Sequence, residues 1–519
     1  MRRPKLLLLV ALSGVLAFAT LVVLTRLPTL EGRSETHAFI NTQGTPFGRA
    51  LAPLAAKHPG QSAIRILPDA HEALAARTAL VRAATRSIDA QYYIWHRDLT
   101  GSYLFNELGK AADRGVRVRL LLDDNNTGAL DEIIATLDAH PNIEIRLFNP
   151  FVLRKPRVLG FLTDFSRLNR RMHNKSFTAD NQATIVGGRN IGDEYFGAGG
   201  AALFVDLDVL AAGPVVADVS QDFDRYWASP SAYPAGRIVP ALSAGHIRSI
   251  RRLLSTTRNS SDFEQASVPL TEILLAGGVS FEWTKVRMIS DHPAKGLGLG
   301  GRDDLLFSKL TASMGEPTRS LDLVSGYFVP GNPGTTALAA MAQRNTEVTI
   351  LTNALEATDV PIVHAGYAKR REPLLRAGVR IFELRGADAA RPPERDVPGM
   401  GSSGSRLSDA GSALHAKTFV VDEMRLFVGS FNFDPRSANL NTELGFVIES
   451  PLLARSLHDT LMRRAPLRAY EVRLSRNGSL YWLERNGMTT VRHDVEPGTT
   501  VRQRGMVQLL SLLPIDWLL

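Results

Sequence analysis

A chain of 519 residues is too long for one ordinary domain, and it is long enough to bury two cores of roughly 200 to 250 residues each. Its 60 basic residues against 52 acidic ones give a net charge of +8, which favours an anionic partner, phospholipid or nucleic acid, without choosing between them. The absence of cysteine excludes disulfides, thiolate metal sites, a cysteine nucleophile and lipid attachment through an N-terminal cysteine.

The chain opens with Arg2, Arg3 and Lys5, followed by an uncharged run from Leu6 to Leu24 that is long enough to cross a bilayer. The positive flank comes first, so the N-terminus is expected in the cytosol and the following domains across the membrane. Ala17-Phe18-Ala19 offers a signal-peptidase-like site, but the apolar run continues past it through Leu24, which favours an uncleaved anchor over residues 1–30. No other segment is long and apolar enough to span.

The remainder is one pattern used twice. A β-rich run, "TRSIDAQYYIW" (85–95), returns as "TRSLDLVSGYFVPG" (318–331). Each is preceded by an Ala/Leu-rich helical segment and followed by a helix and a second strand, "RGVRVRLLLDD" in one half and "NTEVTILTNA" in the other. A further helix and strand end each series, "NIEIRLFN" (142–149) and "GVRIFELRG" (378–386). Strands alternating with helices predict a parallel or mixed sheet covered by helices in each half, with boundaries near 45–260 and 261–519.

Two stretches break the symmetry. Residues 150–171 interleave Arg and Lys with Phe and Leu, and read either as a solvated basic helix or as a lipid-facing entrance. Residues 387–413 are rich in Pro, Gly and Ser, and read as a linker or a mobile lid. "GLGLGG" (296–301) resembles a nucleotide loop only superficially, since it is expected to lack the strand before it, and it reads as an interdomain loop. The C-terminal "MVQLLSLLPIDWLL" is either a helix closing the second core or a segment dipping Trp517 into an interface.

The motif that carries chemistry is also duplicated. His173, Lys175 and Asp180 are followed by Gly187-Gly188-x-Asn190; His415, Lys417 and Asp422 are followed by Gly429-Ser430-x-Asn432, at the same intervals. Residues two apart on a strand share a face, so each His projects with its Lys. "NQ" and "EM" supply a tight turn to a returning strand, and the small residues before each Asn let backbone approach a ligand, with free amides there offering an anion site. An imidazole, an ammonium and an amide around one point suit a phosphate. Brought to one cleft, two histidines can divide the labour, one attacking phosphorus while the other protonates the leaving alkoxide.

H-x-K-x4-D followed by G-[GS]-x-N, occurring twice, resembles the signature of the phospholipase D superfamily. Within it, "DAQYYIW", "HNKSFTAD", "GGRNIGDEYF" and "LPIDWLL" are similar to bacterial cardiolipin synthases of the C subgroup, from about residue 45 to the end. The resemblance implies two phospholipase D-like α-β-α sandwich domains related by a pseudo-twofold behind the transmembrane helix. It implies a phosphohistidine intermediate and phosphatidyl transfer to phosphatidylglycerol; the positive flank puts the domains on the periplasmic side of a bacterial inner membrane, and with no carboxylate cluster to suggest a metal, none is expected, nor any cofactor. Phosphatidylethanolamine is a second candidate donor, and the need for an accessory protein is open.

Carried onto this sequence, the catalytic set is His173, Lys175, Asp180, His415, Lys417 and Asp422, with His173 as nucleophile and His415 as acid and then base; the reverse order stays open. The two aspartates are expected to be structural, accepting backbone or lysine hydrogen bonds. Lys175, Lys417, Asn190, Asn432, Gly188 and Ser430 would bind the phosphate. Asp206 and Glu443 match positions where an acid orients a motif histidine, with Asp208 competing with Asp206. The other ten histidines, His96 and His364 among them, are expected to be surface or structural. A hydrolase releasing phosphatidic acid, a nuclease and a lipid-binding scaffold are the competing functions. The apolar anchor argues against nucleic acid as partner, and two intact motifs argue against the scaffold.

Overall fold

Each half builds its sheet from the segments that repeat in the sequence. The computed structural model describes residues 3–198, 203–256, 280–358, 360–386 and 413–514. The first half contributes β1 (Ser62–Leu67), β2 (Ser87–Tyr92), β3 (Arg117–Asp123), β4 (Ile143–Phe148), β5 (Ser176–Ala179), β6 (Ala183–Gly187), β7 (Phe204–Val205), β8 (Asp208–Ala212) and β9 (Ala232–Pro234). The second contributes β10 (Glu282–Ser290), β11 (Ser320–Ser325), β12 (Glu347–Asn353), β13 (Arg380–Leu384), β14 (Ala413–Leu414), β15 (Lys417–Val421), β16 (Arg425–Gly429), β17 (Leu444–Glu449), β18 (Ala469–Leu474), β19 (Leu480–Asn486) and β20 (Thr489–His493).

Pairing runs β9-β4-β3-β2-β5-β6-β8-β1 in the first half and β18-β13-β12-β11-β15-β16-β17-β10 in the second, so the two series correspond strand for strand. The centre of each, β2-β3-β4 or β11-β12-β13, is parallel, as the helices between those strands require. β2 is buried along its whole length because helices cover both sheet faces, the environment that keeps parallel strands out of water.

The counterpart strands β1 and β10 then pair with each other antiparallel, Ser62 opposite Thr284 and Ile64 opposite Glu282, which makes one sheet continuous across both halves. A second seam lies where β6 and β8 face β16 and β17: Val186, Val209, Val428 and Phe446 are buried in one apolar cluster drawn from both halves. Burying these residues against each other, at about 25 cal/mol per Å² of apolar surface, fixes the halves relative to one another and so fixes any site between them.

The hairpins after the motif histidines turn one residue earlier than the sequence reading placed them. Asp180-Asn181 and Asp422-Glu423 are the central pairs, with φ of 52°, 51°, 54° and 55°, and Gln182 and Met424 close the turns onto Ala179 and Val421. Positive φ at both central positions is the turn whose twist matches a β-hairpin. The aspartate can take that conformation because its carboxylate is held by backbone amides of a neighbouring segment.

At the N-terminus, helix α1 (Arg3–Leu24) stands clear of the protein, with Lys5–Leu24 forming a 20-residue apolar stretch of which none is buried. At the other end, a helix at Val501–Ser511 seats Val507 against Leu355 and Ala365, closing the second half. Trp517, the boundary at 260/261 and all of the Pro/Gly/Ser-rich stretch except Ala413 lie outside the described residues.

Candidate active site

Each histidine motif leaves its own half to pair with the other. Met172 bridges Thr442, and the His173 amide donates to the Thr442 carbonyl at 2.9 Å. At the same offset, Leu414 in β14 pairs with Val205 in β7, and the His415 amide donates to the Val205 carbonyl at 2.8 Å. The residue after each of these partners is an acid. Glu443 Oε2 lies 2.8 Å from His173 Nδ1, and Asp206 Oδ2 lies 2.5 Å from His415 Nδ1. Each of the two motif imidazoles thus faces a carboxylate from the opposite half.

Of the two candidate acids, Asp206 and not Asp208 stands beside His415. Asp208 is buried against Arg77, at 2.9 Å, and accepts the Arg189 amide, so its charge is committed inside the first half. Asp206 is left to reach across. Gly188 makes room for it: a Cβ there would stand 2.1 Å from Asp206 Oδ1. Gly326, at the end of β11, gives way in the same manner to the Leu414 carbonyl beside His415, which a Cβ would meet at 2.1 Å.

The environment of the two histidines differs. The Ser430 carbonyl lies 3.1 Å from His173 Nδ1, and a carbonyl can only accept, so Nδ1 carries the proton and Nε2 the lone pair. Burial, with the Lys175 and Lys417 charges, pushes the His173 imidazole well below its usual range. Burial and Lys417 also lower His415, to about 4, with Asp206 opposing them. Burial alone would raise Asp206, but His415, Lys417 and Arg189 outweigh it and hold that carboxyl below its usual range. Glu443 goes the other way: burial raises it to about 7 despite Lys175 and hydrogen bonds from the Ser430 and Ser437 hydroxyls. Both imidazoles are thus lowered by burial, and Asp206, held charged, opposes that lowering at His415.

The lysines sit between the two systems. Lys175 Nζ donates to the His173 carbonyl at 2.6 Å, and Lys417 Nζ to that of His415. Burial lowers the Lys175 ammonium well below its usual range, with Glu443 opposing and Lys417 reinforcing. Asn432 is buried, and its Oδ1 has no partner among the described residues. Asn190 is engaged, accepting from the Ile94 amide at 3.2 Å and donating to the Tyr195 hydroxyl at 2.9 Å.

Two expected roles change, those of Gly188 and Ser430. The amides of Gly188 and Ser430 are not free for an anion: they donate to the Leu207 and Leu444 carbonyls, because both residues still belong to the strand edge. Gly188 accommodates Asp206, and Ser430 holds Glu443. Asp180 and Asp422 lie at the far end of the hairpins from the histidines. Asp180 accepts the amides of Thr85, Arg86 and Ser87, and Asp422 those of Thr318, Arg319 and Ser320, so both brace the start of the central strands.

Sequence reasoning missed the aromatic walls: Tyr93 packs edge-on against His173 at 4.9 Å, while Tyr195 and Phe204 flank His415 at 5.3 and 5.5 Å. It also missed Ser437, which donates to Glu443 at 2.8 Å, although Ser437 keeps the interval from Asn432 that Tyr195 keeps from Asn190. His364 is structural as expected, buried beside Glu496 at 2.7 Å. His96 is half-exposed and pairs with Glu194 at 3.1 Å, near Asp98, whose two oxygens accept the Gly101 and Asp193 amides.

Residues 78–227 and 310–464 match the protein family described as cardiolipin synthase, phospholipase D-like domain. Cardiolipin synthase C of Escherichia coli (strain K12) is 46% identical over 475 residues, covering 91% of this chain and 99% of that protein. Cardiolipin synthase B of the same strain is 27% identical over 399 residues, covering 77% and 79%. The crystal structure of phosphatidylserine synthase from Haemophilus influenzae Rd KW20 superposes with a TM-score of 0.56 over 91% of this chain and 100% of that one; at 13% identity this likeness is one of fold.

Proposed function

Since the chain belongs to the cardiolipin synthase family of phospholipase D-like proteins, and is a phosphatidyltransferase, we propose that it joins a phosphatidyl group to phosphatidylglycerol through a phosphohistidine on His173. The observation that carries this reading is the reciprocal pairing of His173 with Glu443 and His415 with Asp206 around two buried lysines. His173 Nε2 attacks the phosphorus of the donor; the bond from phosphorus to the headgroup oxygen breaks, and that oxygen takes its proton from His415. The headgroup alcohol leaves. His415, now neutral, removes the proton from the hydroxyl of phosphatidylglycerol, which attacks the same phosphorus and releases His173. Lys175, Lys417 and Asn432 hold the non-bridging oxygens as charge builds on them. Glu443 and Asp206 are positioning residues, and Asp180, Asp422, Gly188 and Ser430 support the frame.

The halves near 45–260 and 261–519 act as two domains sharing this one site, and α1 anchors them to a membrane. Arg2, Arg3 and Lys5, ahead of the apolar run, favour the periplasmic face of a bacterial inner membrane for the site. Phosphatidylglycerol serves as acceptor, and either it or phosphatidylethanolamine as donor.

Purified protein incubated with labelled phosphatidylglycerol, with and without phosphatidylethanolamine, tests the reading once the lipids are resolved. Cardiolipin that disappears in His173→Ala and in His415→Ala is the expected result. Phosphatidic acid as the sole product would overturn it in favour of a hydrolase, and cleavage of DNA with inertness toward lipid would point to a nuclease.

A further inference from the structure

The segment between β4 and His173 is inside out by the standards of a water-soluble surface. Its arginines turn inward: Arg154 and Arg157 reach Asp124, and Arg167 binds Asp164 and the Pro150 carbonyl, the last at 3.0 Å. Its apolar side chains turn outward, with Val158 66% exposed, Leu162 65% and Phe165 51%. This excludes the reading of a solvated basic helix, since water would select the opposite arrangement. The glycine-rich loop abuts the same segment. It follows β10 within the second half instead of linking the halves: Gly296 accepts a hydrogen bond from Asn149, a Cβ on Gly298 would stand 3.0 Å from the Arg170 guanidinium, and Leu299 beside it is 74% exposed.

The end of α1 meets this patch. The hydroxyls of Thr25, one residue past the helix, and Thr163, between Leu162 and Phe165, are 2.9 Å apart. A helix of this length spans roughly 30 Å, the hydrocarbon thickness of a bilayer, so its end marks the level of the membrane surface. The patch lies at that level. The same segment continues through Asn169, whose carbonyl is held by Arg436 at 2.7 Å, to His173 itself.

We propose that Val158, Leu162 and Phe165, with Leu299, insert into the interfacial layer of a phospholipid bilayer at the foot of α1. This forms a second membrane contact that sets the catalytic halves at a fixed depth, with the His173 segment facing the lipid headgroups. The proposal rests on reading α1 as a membrane span. It does not rest on which lipid reacts.

Because the chain has no cysteine, single cysteines report position without background. Full-length Leu162→Cys, Phe165→Cys and Leu299→Cys, each carrying an environment-sensitive fluorophore, are placed in vesicles of phosphatidylglycerol and phosphatidylethanolamine, with exposed Met488→Cys as the water-facing reference. Blue-shifted emission and quenching by nitroxide-bearing lipids at 162, 165 and 299, but not at 488, is expected. Emission at those three sites matching 488 would overturn the proposal. Protein that fails to float with the vesicles would overturn the anchor reading and this proposal with it, while leaving activity in detergent to judge the chemistry separately. In the same vesicles, Leu162→Ser with Phe165→Ser should keep the melting temperature and raise KM for lipid about tenfold with kcat retained; an unchanged KM would leave the patch without a role in lipid delivery and overturn that part.

Discussion

His173 and Glu443 stand 270 residues apart in the chain and belong to opposite halves, yet Nδ1 of one lies 2.8 Å from Oε2 of the other. His415 and Asp206 repeat the relationship in reverse, at 2.5 Å. The two pairs are alike in geometry and unlike in charge, because Asp206 is held ionised while burial brings Glu443 to about 7. The proposed division of labour takes His173 as nucleophile and His415, whose lowering Asp206 opposes, as the acid.

The assignment separates the two histidines experimentally. With donor lipid labelled in its phosphatidyl group, His415→Asn should still form an acid-labile adduct on His173, slowly, and fail to pass it on, with turnover down by roughly 10²- to 10⁴-fold. His173→Asn should form no adduct. Denaturing gels of protein quenched in alkali show which variant holds label; label in His173→Asn and none in His415→Asn would reverse the roles.

Glu443 also leaves a mark on stability. Its folded value of about 7 exceeds the ordinary 4.5, so between these values the folded protein holds a proton that the unfolded chain gives up. Stability should therefore fall as pH rises through that window, by on the order of 3 kcal/mol from this group. Glu443→Gln keeps the shape and cannot lose the proton. Its melting temperature should vary less between pH 4.5 and 8 and at pH 8 equal or exceed the parent's, while phosphatidyl transfer falls roughly 10- to 100-fold, as for other partners that orient a reacting imidazole.

Gly188→Ala should behave as a mutation of Asp206. The added methyl needs the space of Asp206 Oδ1, 2.1 Å away, and the carboxylate must withdraw from His415. Loss of kcat comparable to that of Asp206→Asn, with lipid binding to vesicles retained, is the expected outcome, read from kcat and KM of the two variants side by side.

The hairpin aspartates should separate stability from chemistry. Asp422→Ala strands three backbone amides, at Thr318, Arg319 and Ser320, and should cost about 2 to 3 kcal/mol while leaving kcat per folded molecule close to the parent's at low temperature. Glu423 beside it holds a φ of 55°, where a Cβ is strained, so Glu423→Gly should be stabilising by about 0.5 to 1 kcal/mol. Thermal melts of both variants check the pair; a kcat for Asp422→Ala as low as that of His415→Ala would place the aspartate in the chemistry.

Much of this was legible because duplication doubles every interval. The strands, the motif histidines and lysines, and the acid after Thr442 could all be read from spacing, and the repeat turned two weak patterns into one strong one. The hairpin turn was misplaced by one residue because "NQ" and "EM" look like turn centres until the caged carboxylates of Asp180 and Asp422 are seen to hold the left-handed conformation. Asp206 could not be told from Asp208 because the two stand only two residues apart in the sequence; what separates them is Arg77, more than a hundred residues earlier, which claims Asp208. The phosphate role given to Gly188 and Ser430 failed for a related reason: a small residue signals close approach without saying what approaches, and here it is an acid from the site itself.

Neither half carries an imidazole together with the carboxylate that orients it. Two halves made as separate chains would form working sites only in the fraction that met, and dilution would switch them off. Joined in one chain and stitched by β1 to β10, each molecule carries its partner at a fixed, high effective concentration. Output per molecule then stays constant however sparsely the protein is distributed in its membrane.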